Sequence, residues 1–333
     1  MADLNDFHEY CRNPEVGPNA GWKPHESLEE SQKILESWIG VEEIWALELK
    51  ENGKAVGSVG LHGDKKREDV PGCKMLGYVL STDYWGKGLM TEAVRAVIDH
   101  VFRDQKLSLL SVCHYPFNRR SRRVIEKSGF HFEGLQRRGS VIYDGTVVDD
   151  CLYSMTRREY LAMRAGEAYE LRLPEEVGKA EYLDYMAEWE GECCTPSAVD
   201  KKDGSYESWL EQNIRFRTKV PEGLVTATSY FLTDKTGKPL GAVDIRHSLN
   251  GHLMKTGGHI GYGVRKSCRK MGCASAMLAL ALEKCRELGI ERALVTCDED
   301  NPGSAKTIES CGGVLENRVE DGGKLVRRYW IEV

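Results

Sequence analysis

The 333-residue chain contains no apolar run long enough to form a membrane-spanning helix, so nothing in it points to a membrane partner. Its first residues, MADLNDFHEY, lack the basic start and apolar centre of a secretory signal. It has no C-x-x-C pair among its 11 cysteines, and that number is odd. The expectation is reduced thiols in a cytoplasmic protein, with neither a disulfide framework nor a zinc or other metal site. It also lacks an excess of positive charge, with 46 Lys and Arg against 52 Asp and Glu, a net charge of −6. That balance argues against nucleic acid as a partner and favours a cationic substrate. What remains, 41% hydrophobic and 29% charged residues, is the composition of a globular protein. The length suits two domains, each able to bury its own core.

The chain repeats itself at long range. Gly57, Gly77-Tyr78 and Gly88 recur as Gly241, Gly261-Tyr262 and Gly272 at an offset of 184. Asn118-x-x-Ser121-x-x-x-Ile125-Glu126-x-x-Gly129 recurs as Asn301-x-x-Ser304-x-x-x-Ile308-Glu309-x-x-Gly312 at an offset of 183. One deleted residue explains the change. The period is too long for a solenoid unit, so each copy is expected to be a domain.

In the first copy a helix is expected over Leu4 to Cys11. A second follows the capping box Ser27-Leu28-Glu29-Glu30 and runs to about residue 39. Asn52-Gly53 marks a hairpin between strands Ile44–Leu49 and Ala55–Leu61. After strand Met75–Leu80 comes Tyr84-Trp85-Gly86-Lys87-Gly88-Leu89-Met90-Thr91-Glu92-Ala93, and then an amphipathic helix. Residues 156–167, TRREYLAMRAGE, read as the charged link between the copies, with 161–167 as the linker between domains 1–160 and 168–333. The second copy is expected to open with a strand, Tyr169–Leu173, that the first lacks. Helices over Glu176–Trp189 and Tyr206–Phe216 follow, then strands Thr226–Leu232, Leu240–Ile245 and Ile260–Val264. The turn Arg269-x-x-Gly272-x-Ala274 then leads into a helix. Glycine and alanine there leave room for a ligand near the backbone. The free N–H groups of the helix start favour an anion such as pyrophosphate.

Strand, R-x-x-G-x-A and helix resemble the acetyl-CoA pyrophosphate loop of the GNAT acetyltransferase superfamily. The first copy has Trp85 where that pattern has Arg or Gln. It instead resembles the Rim-type branch, which includes acetyltransferases of ribosomal-protein N-termini. The shared residues are Tyr84-Trp85-Gly86-Lys87-Gly88, Thr91-Glu92-Ala93, Asn118-x-x-Ser121, Gly129-Phe130-x-Phe132-Glu133-Gly134 and Asp149-Asp150-x-x-Tyr153. The resemblance implies two tandem α/β domains with mixed sheets. It implies acetyl-CoA as co-substrate and direct attack by a primary amine on the thioester. A peptide N-terminus, a polyamine and an aminoglycoside-like amine all fit as acceptor. The alternative reading is a CoA-binding module in which one or both copies have lost chemistry. The missing first strand leaves an open sheet edge through which copies of the chain could associate.

By the same resemblance, the cofactor would lie on Val79, Leu80, Gly86, Lys87, Gly88, Leu89, Met90, Asn118 and Arg122 in the first copy. In the second it would lie on Val264, Arg269, Lys270, Met271, Gly272, Cys273, Ala274 and Asn301. Ser121 and Ser304 would serve the departing thiolate, with Asn118 and Asn301 orienting the site. The competing reading is that these residues cap helices. Some Rim-type members carry an acid where Ser140 stands, so the first copy is expected to lack that base. In the second copy Asp244, His247 and His259 are candidate bases, on or beside central strands. Cys297 and His114, each four residues before the paired asparagine, could face the thioester. The arginine of the turn, the edge strand and these ionisable groups make the second copy the expected seat of chemistry.

Overall fold

The computed structural model describes residues 2–202 and 204–333. The chain divides into two compact units, Met1–Arg157 and Arg158–Val333.

Unit 1 begins with α1 (Leu4–Cys11) and α2 (Leu28–Trp38). The Ser27 hydroxyl caps α2 by accepting the Glu30 N–H at 3.1 Å. Glu30 reaches back to the N–H of Glu26 rather than that of Ser27. Next come β1 (Ile44–Glu48), β2 (Ala55–Gly63), β3 (Cys73–Leu80), α3 (Leu89–Asp99), β4 (Leu109–His114), α4 (Arg119–Lys127), β5 (His131–Val141) and β6 (Val147–Thr156). Gly53, at φ 72°, turns the expected β1–β2 hairpin. The strands form one sheet in the order β1-β2-β3-β4-β6-β5, with β1 on its edge. Val94, Val97 and Ile98 of α3 are buried, as are Leu110 and Val112 of β4 and Ile125 of α4.

Unit 2 consists of α5 (Arg157–Ala168), β7 (Tyr169–Arg172), α6 (Lys179–Ala187), α7 (Tyr206–Phe216), β8 (Ala227–Asp234), β9 (Pro239–Arg246), β10 (Ile260–Val264), α8 (Cys273–Glu287), β11 (Arg292–Asp298), α9 (Pro302–Ser310), β12 (Val314–Asp321) and β13 (Lys324–Glu332). Its sheet runs β12-β13-β11-β10-β9-β8-β7. The expected extra strand is β7, at the edge next to β8. One core, with Met277, Leu282, Val295 and Ile308, lies under α8 and α9. A second, with Tyr182, Tyr185, Trp209 and Phe231, lies under α6 and α7.

Two stretches differ from expectation. Residues 161–167 are helical, inside α5, which buries Tyr160, Ala162 and Ala165. The two charged residues of 161–167, Arg164 and Glu167, lie on the exposed face of that helix, not in a linker. The helix expected from Glu176 starts at Lys179, because Val177 and Gly178 are extended (ψ 125° and 153°) after a short 3-10 turn at Pro174–Glu176. Among the described residues no helix is long and apolar enough to cross a membrane.

Candidate functional site

In unit 1 the parallel ladder between β3 and β4 runs from Cys73↔Leu109 to Leu76↔Val112 and stops. β3 stays paired with β2 as far as Leu80↔Gly57. From Gly77 to Leu80 one backbone edge therefore faces a V-shaped gap. In unit 2 the parallel contact of β10 with β11 is a single pair, Ile260↔Val295, while β10 pairs with β9 along its whole length. The repeated glycines make this possible. A Cβ on Gly57 would stand 2.4 Å from the Val79 carbonyl oxygen, and one on Gly241 would stand 2.8 Å from that of Gly263.

Past each gap the chain turns into a helix. Gly88 and Gly272 are the N-caps of α3 and α8, both at φ 83°, and neither supplies a side-chain cap. Positions 86 and 270 are also left-handed, at φ 76° and 64°. A Cβ added to Gly86, Gly88 or Gly272 meets nothing within 4 Å, so the helix starts are open in front. The tryptophan of the first loop now has a physical account. The Trp85 indole N–H donates to the Leu80 carbonyl at 2.9 Å. Arg269 Nε donates to the corresponding carbonyl, that of Val264, at 3.1 Å. Two different side chains fasten the same turn to the end of the same strand.

A cleft of about 330 Å³ runs along the first loop. It is lined by Tyr78, Val79, Leu80, Gly86, Gly88, Leu89 and Met90, by Asn118 and Ser121, and by Arg120, Arg123 and Lys127. The Arg120 guanidinium lies over the Trp85 ring at 4.1 Å. Arg122, expected at the cofactor, pairs instead with Glu126 one turn along α4 at 2.8 Å. The helical period brings residues 120, 123 and 127 to the cleft and leaves 122 aside. Lys87 lies over the Tyr84 ring at 4.9 Å and is not part of the cleft lining.

The duplicated Asn and Ser divide their roles. Asn118 Oδ1 accepts the Ser121 N–H, and Asn301 Oδ1 accepts the Ser304 N–H, each at 3.0 Å, so both asparagines cap their helices. The serine hydroxyls face a tyrosine of the central strand, with Ser121 Oγ 2.8 Å from the Tyr78 hydroxyl and Ser304 Oγ 2.8 Å from that of Tyr262. Burial pushes both phenols well above their ordinary value, so they remain protonated. The sequence reading missed these tyrosines, although each follows a glycine of the repeat.

Around the second loop Arg265, Lys266 and Arg269 already have anionic partners. Arg265 Nε donates to Glu188 at 2.6 Å, and Nη1 lies 2.9 Å from Asp184. The Ser267 N–H and hydroxyl both donate to Glu188. Arg269 pairs with Glu192 at 2.7 Å, and Lys266 donates to the Glu190 carbonyl at 3.0 Å. Burial works against ionisation of Glu188, but Arg265 and Ser267 outweigh it and hold its carboxyl down at about 2. Lys270 and Met271 stand beside this cluster in the turn, Met271 exposed, and Cys273 and Ala274 open α8. A Cβ on Gly263 would meet the Thr195 carbonyl oxygen at 2.1 Å, so the segment after α6 lies directly on β10.

The three candidate bases of unit 2 are engaged. Asp244 accepts the Ser229 hydroxyl at 2.9 Å and pairs with Arg246 at 3.1 Å. His247 is bonded to the Thr228 hydroxyl, and burial pulls its pKa down. His259 Nδ1 accepts the Leu294 N–H at 3.0 Å, so its lone pair is taken. Cys297 is buried, and burial pushes its thiol up. In unit 1 His114 Nδ1 lies 2.8 Å from the Tyr115 carbonyl, which makes it the donor there. The Ser140 hydroxyl donates to the buried Asp150 at 3.0 Å.

A splayed pair of parallel strands followed by an open, glycine-capped helix start is thus present twice. Family models match both copies: an acetyltransferase (GNAT) domain over residues 1–131 and the acetyltransferase (GNAT) family over residues 183–312. The chain belongs to the GNAT acetyltransferase family, with two such domains in tandem. Probable N-acetyltransferase YjcK of Bacillus subtilis (strain 168) is 48% identical over 63 residues, 19% of this chain and 35% of its own length. Uncharacterized N-acetyltransferase p20 of Bacillus licheniformis is 25% identical over 165 residues, 48% of this chain and 90% of its own. The ribosomal protein uS5-alanine N-acetyltransferase of Escherichia coli (strain K12) is 32% identical over 85 residues, 26% of this chain and 43% of its own. The chain thus spans less than half the length of the first and third of these relatives.

Proposed function

We propose that unit 1 carries the chemistry, transferring an acetyl group from acetyl-CoA to the α-amino group of a polypeptide, and that unit 2 is a non-catalytic GNAT domain. This reverses the ranking expected from the sequence. The observation that carries it is the contrast between the two loops. The first opens into a cleft bordered by Arg120, Arg123 and Lys127. In the second, Arg265, Lys266 and Arg269 are met by Asp184, Glu188 and Glu192, and among the described residues Lys270 alone of the turn's cations stands outside these pairs. A pyrophosphate needs unspent positive charge at the helix start and repels carboxylates already there.

The residues of unit 1 fit the co-substrate. The open positions at Gly86 and Gly88 leave the first N–H groups of α3 accessible, and the free edge of β3 borders the gap. Acetyl-CoA, when bound, supplies the thioester that an amine attacks. Backbone N–H groups along Gly77 to Leu80 are suited to polarise its carbonyl. The Ser121–Tyr78 hydroxyl pair, held protonated by burial, is suited to supply the proton that a leaving thiolate requires. Asn118 fixes the turn of α4 on which Ser121 stands. A polypeptide N-terminus as acceptor is supported by the Rim-type residues and by the relative named for alanine acetylation on uS5. A polyamine is the second reading, favoured by the chain's net negative charge.

Titration calorimetry with CoA tests the assignment. Gly88→Glu, which puts bulk and negative charge at the helix start, is expected to abolish binding. Gly272→Glu is expected to leave it unchanged. Unchanged binding by Gly88→Glu overturns the reading. Acetylation of an alanine-ended peptide by the Gly272→Glu chain is expected at the wild-type rate.

A further inference from the structure

The proposed reaction needs a group that takes the amine's proton. We infer that Asp150 is that group. The inference rests on unit 1 being the acetyl-transferring unit.

Asp150 is 1% exposed. Its Oδ2 accepts the Ser140 hydroxyl at 3.0 Å and lies 3.3 Å from Lys66 Nζ. Its other oxygen, Oδ1, is buried and has no hydrogen-bond partner among the described residues. A buried carboxylate oxygen without a donor costs stability, and such a group is kept where function uses it.

Its place in the sheet puts that oxygen on the correct face. β4 pairs with β6 through Cys113↔Leu152 and His114↔Cys151, so the next step along brings Tyr115 beside Asp150. Side chains alternate faces along each strand. Asp150 and Leu152 therefore share a face with Cys113 and Ser111. Met75 pairs with Ser111, which puts Gly77 on that face as well. Tyr78 points to the opposite face, where its hydroxyl meets Ser121 of α4. The ladder between β3 and β4 has already stopped at Val112, so Cys113 borders the gap. The proton donor for the thiolate and the carboxylate thus flank the gap from opposite faces. The His62 ring stands over Gly77 on the carboxylate's face, where a Cβ on Gly77 would meet Nε2 at 3.0 Å, so an amine passes this ring on its way to the carboxylate, while the sulfur leaves toward α4.

The step balances. Asp150 takes one proton from the ammonium, the neutral nitrogen forms the C–N bond as the C–S bond breaks, the Ser121–Tyr78 pair gives a proton to the thiolate, and the second proton shed by the new amide nitrogen restores that pair. The other titratable groups on the face of Asp150 are Lys66 from the β2–β3 loop, Cys113 of β4, Tyr115 after it and His62 of β2, beside Gly77. Lys66 balances the carboxylate's charge while leaving Oδ1 open. Asp64, the other buried carboxylate of this face, is saturated by Arg67, Ser111 and the Lys66 N–H.

Asp150→Asn in the full chain tests this. Free CoA release is followed with water alone as acceptor and with an alanine-ended peptide. Release is expected to fall on the order of 10²-fold or more in both assays, with CoA affinity by calorimetry unchanged. With the peptide, the defect is expected to shrink as pH rises through about 8, where an α-amino group deprotonates unaided. Wild-type release by Asp150→Asn, or a defect of equal size at every pH, overturns the inference. Loss of CoA binding by the wild-type chain would instead remove the underlying reading of unit 1. Should Asp150→Asn fail to fold, Ser140→Ala removes one hydrogen bond from the carboxylate. It is expected to alter release with the peptide while leaving CoA affinity by calorimetry unchanged, and unchanged release overturns the inference.

Discussion

The exchange of Trp85 for arginine reads in the sequence as a departure, yet in the structure the two side chains do one job. Each sends an N–H to the carbonyl that ends its central strand, Leu80 or Val264. The bond closes the turn whose left-handed positions aim the helix start outward. Trp85→Phe keeps the ring under Arg120 and removes only this donor. It is expected to destabilise unit 1 by about 1 kcal/mol, the ordinary net worth of one hydrogen bond. Trp85→Arg is expected to recover most of that, because Arg269 shows that a guanidinium reaches the same carbonyl. Denaturant unfolding of the two variants measures both, and equal losses would show that the ring and not the N–H matters. At this scale the sequence was most legible where backbone geometry dictates residue type, as at Gly57, Gly88, Gly241 and Gly272. It was least legible where two side chains meet across the fold. Tyr78 and Ser121 are 43 positions apart, and only the packing of α4 on β3 brings them to 2.8 Å.

At the scale of elements, the boundaries of β10 and α7 coincide with those read from the sequence, because alternation, caps and turn residues are local signals. The acidic stretch in and just after α6 was not legible for the opposite reason. Asp184, Glu188 and Glu192 look like a solvated charge run until the fold lays them on Arg265, Lys266 and Arg269. A positive second loop was read where a neutralised one exists. Glu188 is depressed to about 2 against an ordinary carboxyl near 4.3, so its pairing stabilises unit 2 at every pH above that ordinary value. The contribution is lost as pH falls from about 4.3 toward about 2. Replacing Glu188 and Glu192 together by glutamine removes both anions without changing shape. Calorimetry with CoA is expected to show one site per chain in the wild type and a second, weaker site in this variant. The variant's acid unfolding between those two pH values is expected to be shallower than that of the wild type. Two equal sites in the wild type would show that the acidic segment does not oppose the cofactor.

At the scale of the whole molecule, the repeat announced two domains, and what it left open was where one ends. Residues 156–167 carry no repeat mark and five of the twelve are charged, so sequence alone reads a link there, with 161–167 as the linker. The structure makes residues 161–167 part of a helix that runs without a break into β7. Leu161 and Ala162 pack with the core under α8, and Arg158 lies 3.5 Å from Glu283 of α8. Arg157, one residue earlier, is tied to unit 1, its N–H donating to the Ser108 carbonyl at 2.9 Å and its guanidinium to that of Phe102. The division falls between two adjacent arginines. A fragment of residues 158–333 is therefore expected to fold with a single cooperative transition. A fragment of residues 169–333, which loses α5, exposes the apolar surface that Tyr160, Leu161, Ala162 and Ala165 cover. Burial of that kind is worth on the order of 3 kcal/mol. For a domain of this size that corresponds to a melting temperature lower by roughly 6–12 °C. A true linker would leave the two fragments melting together, and calorimetric scans of the pair decide between the two descriptions.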